Sequence, residues 1–262
     1  MTPENSSTPV LLFGASNLTL GWRQLVSQLQ QNLPGSLNLH ICAGMGRSYI
    51  KPTRFTFRSL PSIADCGLWN QLPQSLTPAK VLITDVGNDI VYGFQPAQIV
   101  AAVENCIRRI RTWQPQAHIA MTLPPLAALN QLSKLRFQIT RSLLFPGCKL
   151  QLPQALQLAE ELATLLQQLG TSCGIPLLSP PSDWYGFDPI HLRKSFRTVA
   201  FGRMFAAWDT HNPNKHINCT SDPPSPISSP PAPRPAERRV FGNPWITPQP
   251  VFRSQALEVS AW

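Results

Sequence analysis

From Pro9 onward, short apolar runs alternate with longer stretches in which apolar residues recur every three or four positions. The runs Val10 to Phe13, Leu37 to Cys42, Val81 to Val86, Ile119 to Leu123 and Ile175 to Leu178 have the length and continuity of strands buried on both faces. Between them the period is helical. Leu18, Trp22, Leu25, Val26, Leu29 and Leu33 form one stripe, stopped by Pro34-Gly35. Ile99, Val103, Ile107 and Ile110 form another between Pro96 and Trp113, with Arg108, Arg109 and Arg111 turned away near its end. Further helices are expected from Gln131 to Leu144, from Pro153 to a C-cap at Gly170 with Leu158, Leu162, Leu165 and Leu169 inward, and from Lys194 to Trp208. Strands alternating with helices predict an α/β fold, a three-layer α/β/α sandwich around a five-stranded parallel sheet.

The pattern stops near Asn212. The next residues are rich in Pro, Ser and Arg, as in SDPPSPISSPPAPRPAERR, and bury too little apolar area to offset their ordering entropy. The expected organisation is a short polar arm over 1–9, one domain over 10–211 and a mostly disordered tail over 212–262. Phe241, Trp245, Phe252 and Trp262 make that tail a candidate docking segment for a protein partner.

Charge changes the picture little. The formal net charge is +9, yet charged residues are only 13% of the chain and form no long basic block, so a nucleic-acid partner is not expected. The six cysteines lie far apart with no C-x-x-C, which favours reduced, mostly buried thiols over a disulfide framework. Without a basic leader or an apolar run of about 20 residues, the chain is expected to be cytoplasmic, with no membrane span.

In an open parallel sheet, ligand sites form at the carboxyl ends of the strands, where loops converge. The loops expected there are Gly14-Ala15-Ser16-Asn17, Ala43-Gly44-Met45-Gly46-Arg47-Ser48, Gly87-Asn88-Asp89 and Asp188-Pro189-Ile190-His191. A serine hydroxyl becomes a useful nucleophile when an imidazole takes its proton. Of the five histidines, His40 lies in a strand, His118 at the opposite edge, and His211 and His216 at the start of the tail, which leaves His191 as the base. Asp188, three residues earlier, can accept the other ring N–H and hold the productive tautomer, with Asp183 as its rival.

Taken in this order, these blocks resemble the SGNH (GDSL-like) hydrolases over roughly residues 10 to 210. The resemblance implies a flavodoxin-like strand order and an esterase mechanism through an acyl-enzyme. It makes Ser16 the nucleophile and Asp188 and His191 its acid–base pair. The Ser16 amide, a glycine amide and the Asn88 side chain become the donors to the oxyanion. Gly46 is the better match for the glycine and Gly44 the other candidate. Ala15 stands where the family's G-D-S has Asp, and Val86 where its third block has Gly. A small-molecule ester is the implied substrate, with no metal or organic cofactor. Arg47 is a candidate for binding an anionic part of the substrate, together with Lys51, Arg54 and Arg58. Trp184 and Tyr185 are candidates for walling the pocket. An acyltransferase using the same acyl-enzyme, and a non-catalytic binding module on a degenerate hydrolase fold, are the alternatives. A dinucleotide site ranks last, because no G-x-G-x-x-G follows the first strand.

Overall fold

A computed structural model describes residues 7–209 and 230–262. In chain order the elements begin with β1 (Thr8–Phe13), α1 (Ser16–Leu20), α2 (Trp22–Asn32), β2 (Leu37–Cys42), β3 (Thr53–Phe55), β4 (Arg58–Leu60) and β5 (Lys80–Ile83). They continue through α3 (Asn88–Val91), α4 (Pro96–Trp113), β6 (His118–Thr122), α5 (Leu126–Leu129), α6 (Lys134–Leu144), α7 (Leu152–Cys173), β7 (Leu177–Leu178) and α8 (Arg197–Ala206). The last are β8 (Glu237–Val240), β9 (Asn243–Ile246), β10 (Phe252–Arg253) and β11 (Leu257–Ala261).

All five expected strands lie side by side in the order β2-β1-β5-β6-β7, every pair parallel. The apolar runs explain why. In β1 alternate side chains face opposite ways, so Leu11 and Phe13 enter a core shared with α4 and α7, while Val10 and Leu12 enter one shared with α2 and α8. Burying both faces produces the three layers. The helix that follows β1 is broken at Gly21 into a five-residue α1 and an eleven-residue α2. Pro96 opens α4, where the side chain of Gln98 accepts from the Gln95 amide at 2.9 Å.

Two expectations change. α7 does not end at Gly170 but runs to Cys173, and Gly174 takes the left-handed cap at φ 62°. Gly170 lacks a side chain for another reason, because a Cβ there would sit 2.7 Å from Leu177 of β7. The larger change is the C-terminal stretch. Part of the expected tail, 212–229, lies outside the described residues, but residues 230–262 are built into the fold. β11 pairs in parallel with β2, extending the sheet to seven strands with β10 antiparallel at the edge. Leu257, Val259 and Ala261 alternate inward and are buried, which supplies the apolar area that the Pro-rich composition hides. β8 and β9 form a hairpin that completes a second, four-stranded sheet with β3 and β4. Among the described residues, no helix is long and apolar enough to cross a membrane.

Candidate active site

The carboxyl ends of β1, β2 and β5 converge on Ser16. Its hydroxyl oxygen lies 2.9 Å from Nε2 of His191, and Nδ1 of the same ring is hydrogen-bonded to a carboxylate oxygen of Asp188. The other Asp188 oxygen accepts from the Ile190 amide at 2.7 Å and the His191 amide at 3.4 Å, so the carboxylate organises the loop that carries His191. Burial alone would push the Asp188 carboxyl up. The hydrogen bond and charge of His191, with the two amides, outweigh it and hold the carboxyl below its ordinary value. Asp183 is exposed on a separate 3₁₀ turn and does not meet the ring.

Asp85, at the end of β5, is a residue that sequence reasoning missed. Ala15 provides no side-chain cap for α1. Instead the Asp85 carboxylate accepts from the Ala15 amide at 2.8 Å, the Asn17 amide at 3.3 Å and the Asn17 side chain at 2.8 Å. A carboxylate thus reaches the Ser16 turn from a neighbouring strand although position 15 has none. Asp85 adopts φ 58°, a conformation that Asp tolerates better than most residues, and burial pushes its carboxyl up. Its position just before Val86-Gly87-Asn88 was the only available signal.

Asn17 joins the same turn to the His191 loop. Its Nδ2 donates to the Ile190 carbonyl at 3.0 Å, and its Oδ1 accepts from the Leu192 amide at 2.9 Å, bracketing His191 from both sides.

The second loop is positioned by the third. Asp89 is fully buried, and its carboxylate accepts from the Ser48 hydroxyl and from the Tyr49 amide at 3.0 Å. Tyr92 donates to the Gly46 carbonyl. Gly46 has φ 62°, which disfavours any side chain, and a Cβ there would lie 2.7 Å from the Tyr92 hydroxyl. Gly46 lines a cavity of about 340 Å³ together with Ser16 and His191, whereas Gly44 is packed against Leu60 and does not line it. Asn88, at the start of α3, is buried, and its side-chain amide makes no hydrogen bond among the described residues. It borders a second, apolar cavity of about 110 Å³ between Pro124, Phe137, Phe145 and Tyr185.

Four sequence candidates for substrate binding, Arg47, Arg58, Trp184 and Tyr185, sit elsewhere. Arg47 is fully buried and turned away from the cavity. Its guanidinium donates to the carbonyls of Pro61 at 3.2 Å and Ala43 at 3.5 Å, and to the main-chain oxygen of Trp262. Trp184 is buried in the core on the α2 and α8 side, where the Arg203 guanidinium lies 5.8 Å from its ring. Tyr185 reaches the smaller cavity and not the one that holds Ser16. In the wall of the larger cavity are Lys51 and Arg54, with Phe55, Tyr92, Leu144 and Phe145. Arg58 lies outside that wall, half-buried on β4.

No protein-family model matches the chain, and no curated protein matches it by sequence. Solved structures do. A carbohydrate acetylesterase family member from Sinorhizobium meliloti superimposes with a TM-score of 0.50 at 15% identity, over 75% of this chain and 94% of that one. A family two carbohydrate esterase from Clostridium thermocellum, in complex with cellohexaose, gives 0.50 at 14% identity, over 80% of this chain and 66% of that one. At such identities the likeness is one of backbone: the chain shares the fold of these carbohydrate esterases.

Proposed function

We propose that the chain is an ester hydrolase working through an acyl-enzyme on Ser16. The reading is carried by one observation, the continuous hydrogen-bonded line from the Ser16 hydroxyl through His191 to Asp188, assembled from residues 175 positions apart. His191 takes the Ser16 proton as the hydroxyl oxygen attacks the ester carbonyl. Asp188 holds the proton on Nδ1, so that Nε2 is the free base, and it stabilises the imidazolium that forms. The same proton then passes to the departing alcohol, and a water activated by His191 releases the acid.

Negative charge on the former carbonyl oxygen would meet the amides of Ser16 and Gly46 and the side chain of Asn88. Donors of this kind each lower such barriers by roughly 3 to 4 kcal/mol. The positive end of α1 adds little, because the helix is a little over one turn long. The Asn88 side chain borders a cavity and makes no hydrogen bond among the described residues, which leaves its amide free to donate.

The test is labelling by a fluorophosphonate probe alongside hydrolysis of 4-nitrophenyl acetate. Wild type should react with both. Ser16→Ala should lose labelling, and its kcat should fall by at least about 10³-fold. An unlabelled wild type that leaves the ester intact would make the fold a binding module instead.

A further inference from the structure

We propose that the ester bound at this site carries an anionic group, gripped by Lys51 and Arg54. The proposal rests on the hydrolase reading and narrows it to a substrate class. The cavity that holds Ser16 and His191 has two cationic side chains in its wall and no carboxylate. Its remaining surface is largely apolar, from Met45, Phe55, Val91, Leu144, Phe145 and Pro146. Lys51 is half-buried and Arg54 exposed at the rim, so an arriving anion reaches both without displacing a protein partner.

Most other arginines near the site already serve the protein. Arg47 is committed to the carbonyls of Pro61, Ala43 and Trp262, Arg109 donates to the Ala64 carbonyl at 2.7 Å, and Arg136 to the Gly186 carbonyl at 2.8 Å. Lys51 and Arg54 are different. The Lys51 ammonium sits 4.7 Å above the Tyr92 ring and 5.9 Å from that of Phe94, and it makes no ion pair among the described residues. Its charge acts on the buried Asp89, but the Asp89 carboxylate takes its hydrogen bonds from Ser48 and Tyr49 and not from Lys51. Arg54 donates through Nε to the Thr56 carbonyl at 2.8 Å, which fixes the guanidinium and leaves both terminal nitrogens without a hydrogen bond among the described residues. Two fixed donors to one side of a serine nucleophile suit a carboxylate, sulfate or phosphate on the ester.

The backbone gives these cations their place. Both belong to the segment that leaves the second loop and forms β3 and β4, and this hairpin is continued by β8 and β9 from the C-terminal end of the chain. Cations on a braced hairpin lose less freedom on binding than cations on a free loop.

The experiment compares matched esters at low salt. One pair carries the charge on the acyl side, mono-4-nitrophenyl succinate against 4-nitrophenyl butyrate. The other carries it on the alcohol side, 4-acetoxybenzoate against its methyl ester. Wild type should favour the charged member of at least one pair about tenfold in kcat/KM, mainly through KM, the scale of two partly exposed charge contacts. The double variant Lys51→Met/Arg54→Gln should bring that ratio to about one, and Lys51→Arg should keep most of it. A wild-type ratio of one or less in both pairs, or a ratio unmoved by the double variant, overturns the proposal while leaving ester hydrolysis standing. Should wild type hydrolyse none of the four, calorimetry of the same esters on Ser16→Ala separates the two ideas. Binding of a charged ester that disappears on adding Lys51→Met and Arg54→Gln supports the anion site without the hydrolase, and no binding overturns both.

Discussion

Asn17 uses both ends of its side-chain amide on the loop that carries His191, and its Nδ2 also reaches Asp85. It therefore sets the distance between Ser16 and His191 without touching the hydroxyl or the ring. Replacing it by Ala removes three hydrogen bonds, one buried and two partly buried, and should cost about 1 to 3 kcal/mol in stability. The activity readout is sharper: misplacing a catalytic group by about 1 Å costs on the order of 100-fold. Asn17→Ala should thus lower kcat of the folded protein by one to two orders of magnitude, with little change in KM for a small ester. Unchanged kcat in a folded Asn17→Ala protein would show that the His191 loop holds its place without it. That Ser16, His191 and Asp188 come together was legible because His191 falls at the ligand edge of the sheet and Asp188 lies three positions before it. Asp85 was not, since its role depends on a left-handed backbone that lets one carboxylate span the amides of Ala15 and Asn17. Arg47 misled because a charge in a polar loop ordinarily faces water, whereas here its acceptor is a main-chain oxygen 215 positions away.

The element with most consequence outside the site is β11. Leu257 and Val259 are buried against the α2 and α8 side of the sheet. Leu257→Ala should destabilise the fold by roughly 2 to 4 kcal/mol, measurable by urea unfolding, if β11 belongs to the cooperative core. A loss within about 0.5 kcal/mol would mean that the strand frays independently. Its attachment should also respond to acid. His40 of β2 is buried and accepts at Nδ1 a hydrogen bond from the Trp262 indole at 3.2 Å, and burial lowers its pKa to about 4. The unfolded chain takes up this proton near pH 6.5 and the folded chain near 4, so folding is favoured at neutral pH and progressively less so between those values. The full difference is roughly 3 kcal/mol. Asp85 and Asp89, whose carboxyls are raised by burial, act with the opposite sign, and a variant is needed to isolate the histidine. His40→Gln keeps an acceptor without the titration, so wild type should lose stability relative to it as pH falls from 7 to 4. Parallel stability curves would show that His40 leaves its pocket before it charges.

Across the whole molecule, local pattern was sufficient wherever an element's partner lay nearby in the chain. The five parallel strands, α4 and the order of the loops follow from runs and periods of four to eighteen residues. Where partners are remote, the pattern fell silent. Leu257, Val259 and Ala261 alternate as a strand should, but their short run follows a Pro-rich stretch and its partner begins at Leu37. Trp184 looked like a pocket wall because it adjoins the acid–base pair, and only the packing of α8 shows it facing the core. The four-stranded sheet was hidden for the same reason, since it joins residues 53–60 to residues 237–246.

That remoteness has a cost during synthesis. The hydrogen-bonding edge of β2 is complete once Cys42 has left the ribosome, yet the strand that covers it ends at Ala261. His40 and Trp262 are 222 positions apart, and at 5 to 20 residues per second their meeting is delayed by roughly 10 to 45 seconds. For that interval the nascent chain presents an apolar strand with an open ladder to every neighbour, including its own siblings on the same message.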